Sequence, residues 1–173
     1  MATITLYNFP QSTCSQKVRL VLWEKGLAFE DRIVDHKSRE HLKPAYLALN
    51  PNGVVPTLVH DDAVIIDSSV IIEYLDEIFP EPSMSMPDAV GRAHMRKWLR
   101  YFEEVPTPAI RVPSFNKYLV KRYESLPDDE YDQMAEDHPI RKHFYQRLAK
   151  RGFGDAETRE ASERLQQTVD RVE

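Results

Sequence analysis

The sequence predicts an α/β domain followed by an all-α region. Three observations predict it: a strand–helix–strand succession at the start, two short strands split by an acidic turn, and purely helical periodicity after a proline-containing stretch. Ile4 and Leu6 alternate with polar neighbours, as a half-buried strand requires. Val18, Val21 and Leu22 recur at helical spacing until Gly26 supplies a stop. Phe29 to Val34 reads as a second strand, and strand, helix and strand within residues 4–34 imply a right-handed unit with parallel strands. A short helical piece, Leu42 to Leu49, follows. Thr57 to Val59 and Val64 to Ile66 flank Asp61, Asp62 and Ala63, a tight turn that makes the two runs an antiparallel hairpin. Ser68 or Ser69 is expected to cap a helix that carries Val70, Ile71, Tyr74, Leu75 and Ile78 on its apolar face and ends at Pro80. The order βαβαββα with mixed strand directions is a thioredoxin-like layout.

Residues 1–80 are thus read as the first domain and 81–87, with their prolines and serines, as a linker. Residues 88–173 form the helical domain. Asp88 suits a cap for a helix carrying Val90, Ala93, Trp98 and Phe102, which Pro106 and Pro108 are expected to terminate. Shorter helices follow between Ser114 and Arg151, separated by Pro127 and Pro139. From Ala156 a last helix places Ala161, Leu165, Val169 and Val172 on one stripe. No later element faces that stripe, so the helical domain reads as incomplete, with further residues expected beyond Glu173.

At 173 residues and 42% hydrophobic content the chain can bury a core in each part. A net charge of -5 without any Lys/Arg block argues against nucleic acid or an anionic membrane surface as partner. No apolar run reaches membrane-spanning length, and Met1 to Asn8 reads as a short alternating strand in place of a charged and then apolar leader, so neither a membrane span nor export is expected. Cys14 is the only cysteine, no His/Cys cluster has metal-site spacing, and a reducing, cytoplasmic setting without a metal is expected.

Three loops carry the residues with chemical potential. Pro10-Gln11-Ser12-Thr13-Cys14-Ser15 joins the first strand to a helix start, where unpaired N–H groups and the helix dipole favour an anion such as a thiolate. Lowering a thiol by about two pKa units requires about 2.7 kcal/mol. A hydroxyl bonded to a charged sulfur supplies about 1.5–3 kcal/mol and the dipole about 0.3–1. The same serines and threonine also suit plain helix capping, and Cys14 suits a small packed hydrophobe. In Asn50-Pro51-Asn52-Gly53-Val54-Val55-Pro56-Thr57, a cis Val55–Pro56 bond turns the N–H and C=O of Val55 outward to pair with an extended peptide, whereas a trans bond makes a plain turn. Asp67-Ser68-Ser69 sets a carboxylate and two hydroxyls at a helix start, either as a cap or as a ligand site.

Taken together, S-x-C-S before a helix, N-P-x-x-x-V-P before a hairpin and D-S-S on a helix resemble the N-terminal domain of cytosolic glutathione transferases over residues 3–80, and the Asp88 to Phe102 helix continues the likeness. The resemblance implies glutathione as co-substrate, with Ser12 stabilising its thiolate, Val55 pairing with its cysteinyl backbone, Asp67 and Ser68 binding its γ-glutamyl end, and His41 meeting the glycyl carboxylate. Two positions depart from the common pattern: Asp67 stands where Glu or Gln is usual, and Val54 where a hydrogen-bonding side chain is frequent; Leu42 replaces a polar neighbour of His41. Weaker glutathione affinity is the expectation. S-T-C-S resembles the zeta-like branch, including maleylacetoacetate isomerases and reductive dehalogenases, in which Cys14 takes the place of a second thiol. Residues Leu126 to Arg151 resemble bacterial β-etherase-like transferases. The implied reaction is attack of glutathione thiolate on an electrophilic, aromatic acceptor held between the domains, with Phe9, Trp98, Tyr101, Phe102, Phe115 and Tyr118 as candidates for its pocket. The alternatives are a Cys14-dependent isomerase or reductive dehalogenase, and a non-catalytic adaptor of the same fold. The resemblance further implies a homodimer.

Overall fold

The computed structural model describes residues 3–173, which divide into two compact units, the first ending at Arg92 and the second spanning Ala93–Glu173. In the first, strand β1 (Ile4–Asn8) leads into helix α1 (Thr13–Glu24) and strand β2 (Glu30–Ile33). A single 3-10 turn (Glu40–Leu42) and helix α2 (Pro44–Leu47) precede strands β3 (Thr57–His60) and β4 (Ala63–Ile66) and helix α3 (Ser68–Ile78). The sheet order is β2-β1-β3-β4, with β1 parallel to β2 and antiparallel to β3, and β3 antiparallel to β4. This is the thioredoxin-like arrangement.

Alternation along the strands builds the two layers. Ile4, Leu6 and Leu58 pack on one face against Val18 and Leu22 of α1 and Ile71 and Leu75 of α3. Leu6, Leu22, Leu58, Ile71 and Leu75 are fully buried, each contributing about 1.5–3 kcal/mol. A second cluster joins Val34, Tyr46 and Val55, with Tyr7 and Phe9 against it. Gly26, at φ 63, ends α1, and its N–H bonds the Trp23 carbonyl.

The segment 81–87 is fastened to this unit. Lys25 Nζ, with its side chain wholly buried, donates to Asp76 Oδ1 (2.6 Å), Phe79 O (2.7 Å) and Pro82 O (2.8 Å), so all three of its donors are used. Asp76 Oδ1 also accepts from the Met84 N–H at 2.9 Å.

The second unit is helical: α4 (Ala89–Glu104, which begins in the first unit), α5 (Pro106–Tyr118), α6 (Val120–Tyr123), α7 (Asp128–Glu136), α8 (Lys142–Leu148) and α9 (Asp155–Val172). Helix α5 packs along α9. Tyr123, Tyr131, Met134, Tyr145, Leu148 and Phe153 make its core. Asn116 ties α5 to the α8–α9 loop, donating to Phe153 O (2.9 Å) and accepting from Phe153 N–H (2.8 Å), and Gly152 enters that loop at φ 82.

Several local expectations need correction. Asp67, not Ser68 or Ser69, caps α3, because its carboxylate accepts the Ser69 and Val70 N–H groups while both serines are already helical. Val70 and Ile78 are about half exposed, so the buried face of α3 is narrower than the apolar one. The piece at 42–49 is split by Lys43 into the 3-10 turn and α2. Pro106 does not merely end α4: it occupies the first turn of α5, where its missing N–H has no role to fill. Val169 and Val172 of the last stripe are exposed, while Ala161 and Thr168 are the residues of α9 that are buried. Among the described residues no helix is long and apolar enough to cross a membrane.

Candidate active site

The strand register places four separate chain segments at one end of the sheet. Asn8, the last residue of β1, lies beside Ile33, the last of β2; Tyr7 pairs with Thr57, the first of β3; and Thr57 pairs with Ile66, the last of β4. The segments 9–15, 34–41, 50–56 and 67–69 therefore leave or enter the sheet at the same edge, and they contain Ser12, Cys14, His41, Val55, Asp67 and Ser68.

The loop after β1 is held from below. Pro10 O accepts from Arg19 Nη2 (2.9 Å) and Gln16 Nε2 (3.2 Å), and Phe9 N–H donates to the buried Ser15 Oγ at 3.3 Å. Arg19 also donates to Asn8 Oδ1, and Asn8 Nδ2 bonds Asp31 and the Leu6 carbonyl. Ser12 N–H bonds Phe9 O at 3.0 Å, and Ser12 Oγ accepts from the Ser15 N–H at 3.3 Å as N-cap of α1. Capping uses an oxygen lone pair only. The hydroxyl proton is left to donate outward, so cap and thiolate donor are compatible roles for one residue. Cys14, in the first turn of α1, is partly exposed and unpaired with another cysteine.

The loop before β3 is rigid for a different reason. Val54 O accepts from Tyr46 O–H (2.7 Å) and Asn50 Nδ2 (2.9 Å), and the Thr57 hydroxyl lies 3.0 Å from the Tyr46 oxygen and 2.9 Å from Asn50 Nδ2. Burial pushes the Tyr46 phenol up to about 12, which keeps it a donor. Val55 follows directly, its bond to Pro56 is cis, and its own N–H and C=O pair with no other described residue.

Beyond β2, the Asp35 N–H donates to Glu40 Oε2 at 2.7 Å, and this bond, with Arg32 beside it, holds the Glu40 carboxyl below the usual carboxylate range. The turn so fixed buries His41, whose ring stacks on His36 at 4.2 Å, and His36 in turn meets Phe9 at 4.4 Å. Phe9, His36 and His41 thus form an aromatic column next to the Ser12 loop. At the fourth segment, Asp67 sits at φ 72, an unfavourable region for a residue with a Cβ that costs on the order of 1–3 kcal/mol. Its Oδ1 accepts from Ser69 N–H (2.9 Å) and Val70 N–H (3.2 Å), and Ser68 beside it is buried.

The aromatic acceptor candidates do not form one group. Trp98, Tyr101 and Phe102 contact one another on α4, with Tyr101 O–H 3.2 Å from Thr168 Oγ1 and the Arg171 guanidinium 4.3 Å from the Tyr101 ring centre. Phe115 packs instead with Phe144 and Tyr145 in the helical core, and Tyr118 is exposed with Lys117 over its ring. A cavity of about 260 Å³ in the helical unit is lined by Val112, Phe144, Phe153 and the Arg147–Glu157 and Arg164–Glu160 ion pairs, and by none of the candidates.

Sequence reasoning missed Asn8, Arg19, His36 and Tyr46, and named Asn50 only as the first residue of a motif, without its bonds to Val54 O and Thr57. A signal existed for two of them: Asn8 continues the buried alternation of Ile4 and Leu6, and Arg19 stands in the buried stripe Ser15, Val18, Arg19, Leu22. A polar residue on an apolar stripe demands a partner.

A sheet of this topology is thioredoxin-like, and at one end it carries a capping hydroxyl, an unpaired backbone pair and a carboxylate-capped helix. Residues 6–83 match the family described as glutathione S-transferase, N-terminal domain. The chain belongs to the glutathione S-transferase family. Among solved structures it is similar to the beta-etherase LigF from Sphingobium sp. strain SYK-6, with a TM-score of 0.87 and 31% identity over 98% of this chain and 71% of that one. It is 51% identical over 88 residues to glutathione S-transferase 1 of Dianthus caryophyllus, covering 51% of this chain and 40% of that protein. It is 44% identical over 94 residues to maleylacetoacetate isomerase of Pseudomonas aeruginosa, covering 53% of this chain and 44% of that protein. The chain thus spans less than half the length of these curated relatives.

Proposed function

We propose that the chain is a glutathione transferase acting on an electrophilic, apolar, aromatic small molecule. The observation that carries the reading is the convergence, at one sheet end, of the Ser12 hydroxyl with its proton undirected, the unpaired N–H and C=O of Val55, and the Asp67–Ser68 helix start. A tripeptide lies extended along Val55 as an added strand. Its γ-glutamyl ammonium meets Asp67, its γ-glutamyl carboxylate meets Ser68 and the N-terminus of α3, and His41 takes the glycyl end. A glutathione transferase homologue from Drosophila mojavensis, 26% identical with a TM-score of 0.64, has been crystallised with bound glutathione, which supports the choice of tripeptide.

In the reaction the thiol loses its proton to solvent, and the thiolate, stabilised by the Ser12 O–H and the dipole of α1, attacks the electrophilic carbon. A C–S bond forms, and the leaving group, a halide or aryloxide, departs with the bonding pair. The beta-etherase name of LigF supports an ether among the acceptors. Cys14, two residues beyond Ser12, would enter only in a reaction that must release glutathione from a thioether: its thiolate attacks the thioether sulfur, the carbon leaves with the C–S pair and takes a proton, and a second glutathione thiolate reduces the Cys14–glutathione disulfide, giving oxidised glutathione. The chain acts as a homodimer, which light scattering of the purified protein checks, and in the cytoplasm, which fractionation of the source cells checks.

The test is Ser12→Ala assayed with glutathione and an activated aryl halide. Turnover should fall about 10–100-fold, matching the loss of one charged hydrogen bond, while calorimetric affinity for glutathione changes less than about threefold. Unchanged turnover overturns the role of Ser12, and absence of glutathione binding by the unaltered protein overturns the reading.

A further inference from the structure

We propose that Lys17 is a further glutathione-binding residue, whose ammonium reads the α-carboxylate of the γ-glutamyl head while Asp67 takes the ammonium on the same carbon. The inference rests on the site reading above and adds to it a residue that lies outside all three loop motifs. Lys17 stands on α1, and its Nζ donates to Ser69 Oγ at 2.7 Å, at the first turn of α3. It makes no other hydrogen bond and no ion pair among the described residues. An ammonium has three donors, so two remain.

The placement runs against local electrostatics. The N-terminus of α3 is the positive end of its dipole, where an anion is favoured and a cation disfavoured. Ser68 in the same turn is 6% exposed, yet its hydroxyl bonds no protein group among the described residues. Asp67 is engaged only by the Ser69 and Val70 N–H groups and forms no ion pair there. A cation and a carboxylate thus stand at one helix start without pairing to each other. A zwitterionic amino-acid head, which carries both charges on one carbon, satisfies each of them and supplies Ser68 with an acceptor. A mere tie between α1 and α3 would need only a hydrogen bond to Ser69, which an uncharged amide makes as well.

The experiment is calorimetry on the full chain with two probes: glutathione, and 4-aminobutanoyl-cysteinylglycine, which differs by lacking the α-carboxylate. Lys17→Gln keeps a donor for Ser69 and removes the charge, and Lys17→Arg keeps the charge; melting of both variants is recorded alongside. The unaltered protein should prefer glutathione to the analogue by about tenfold or more. Lys17→Gln should lose most of that preference by weakening glutathione alone, with melting unchanged, and Lys17→Arg should retain it. At saturating glutathione, turnover of Lys17→Gln should match the unaltered protein, with KM raised in the same proportion as Kd. The inference is overturned if Lys17→Gln weakens both probes equally, which marks a structural tie, or weakens neither. Failure of the unaltered protein to bind glutathione removes the site reading itself, and this inference with it.

Discussion

Replacing Lys25 by methionine should cost the N-terminal unit about 3–5 kcal/mol, the range for removing one partner of a buried ion pair. The side chain is fully buried, its ammonium is surrounded by one carboxylate and two carbonyls, and methionine has the length to fill the space but no donor. Phe79 O and Pro82 O would then lie without their partner, and the Asp76 carboxylate, 8% exposed, would keep only its backbone and hydroxyl donors. With about 4–8 °C per kcal/mol for a unit of this size, melting should fall by at least about 12 °C. The pH dependence tests the same reasoning. Burial alone would raise the Asp76 carboxyl, but the Lys25 ammonium, the Ser85 hydroxyl and the Met84 N–H outweigh it and hold the group below its ordinary value. A carboxyl depressed in the folded state stabilises fully above its unfolded pKa, and that contribution disappears as pH falls through the folded one. The stability gap between the unaltered protein and Lys25→Met should therefore be constant near neutrality and close below about pH 4. Urea unfolding followed by circular dichroism at several pH values measures both. A loss under about 1 kcal/mol, as for an exposed pair, would refute the reasoning.

Asn50→Leu removes one of the two donors to Val54 O and the donor to the Thr57 oxygen, leaving that buried hydroxyl only its Tyr46 partner; about 1–3 kcal/mol should be lost in chemical unfolding, and KM for glutathione should rise more than kcat falls. Gly152→Ala puts a Cβ 2.6 Å from Asn116 Oδ1 at a backbone angle that disfavours it, so melting of the helical unit should drop by more than the cost of about 1 kcal/mol usual at a strained site. Phe115→Ala should destabilise by about 3 kcal/mol while leaving the ranking of aromatic acceptors unchanged, since its ring contacts are with Phe144 and Tyr145.

The elements that were legible in the sequence are those whose burial pattern is local. Ile4 and Leu6 betray β1 by alternation, Val18 and Leu22 betray α1 by periodicity, and the Asp61 turn marks its hairpin, because each signal is a spacing along a few residues. The loop triad Ser12, Val55 and Asp67 was legible as a pattern, and its shared location follows from strand directions that the hairpin already implies. What stayed hidden depends on partners far along the chain. Lys25 reads as an exposed lysine near a helix end, and only the return of residues 79–84 buries it. Lys17 meets Ser69 across 52 residues. The capping role of Asp67 was obscured by two equally suitable serines after it, and Pro106 by its double use as a helix breaker and a first-turn residue.

The pairing of Thr57 with both Tyr7 and Ile66 binds ligand recognition to folding. A slip of β3 by a single position would exchange the faces of Thr57 and Leu58, expel Leu58 from between the sheet and its two covering helices, and carry Val55 away from the Ser12 loop at the same stroke. Misalignment here leaves no folded species with a faulty pocket to be titrated. Changes that shift the β3 pairing, unlike Asn50→Leu, which leaves it intact, should accordingly be found either competent for the tripeptide or not folded, with few in between.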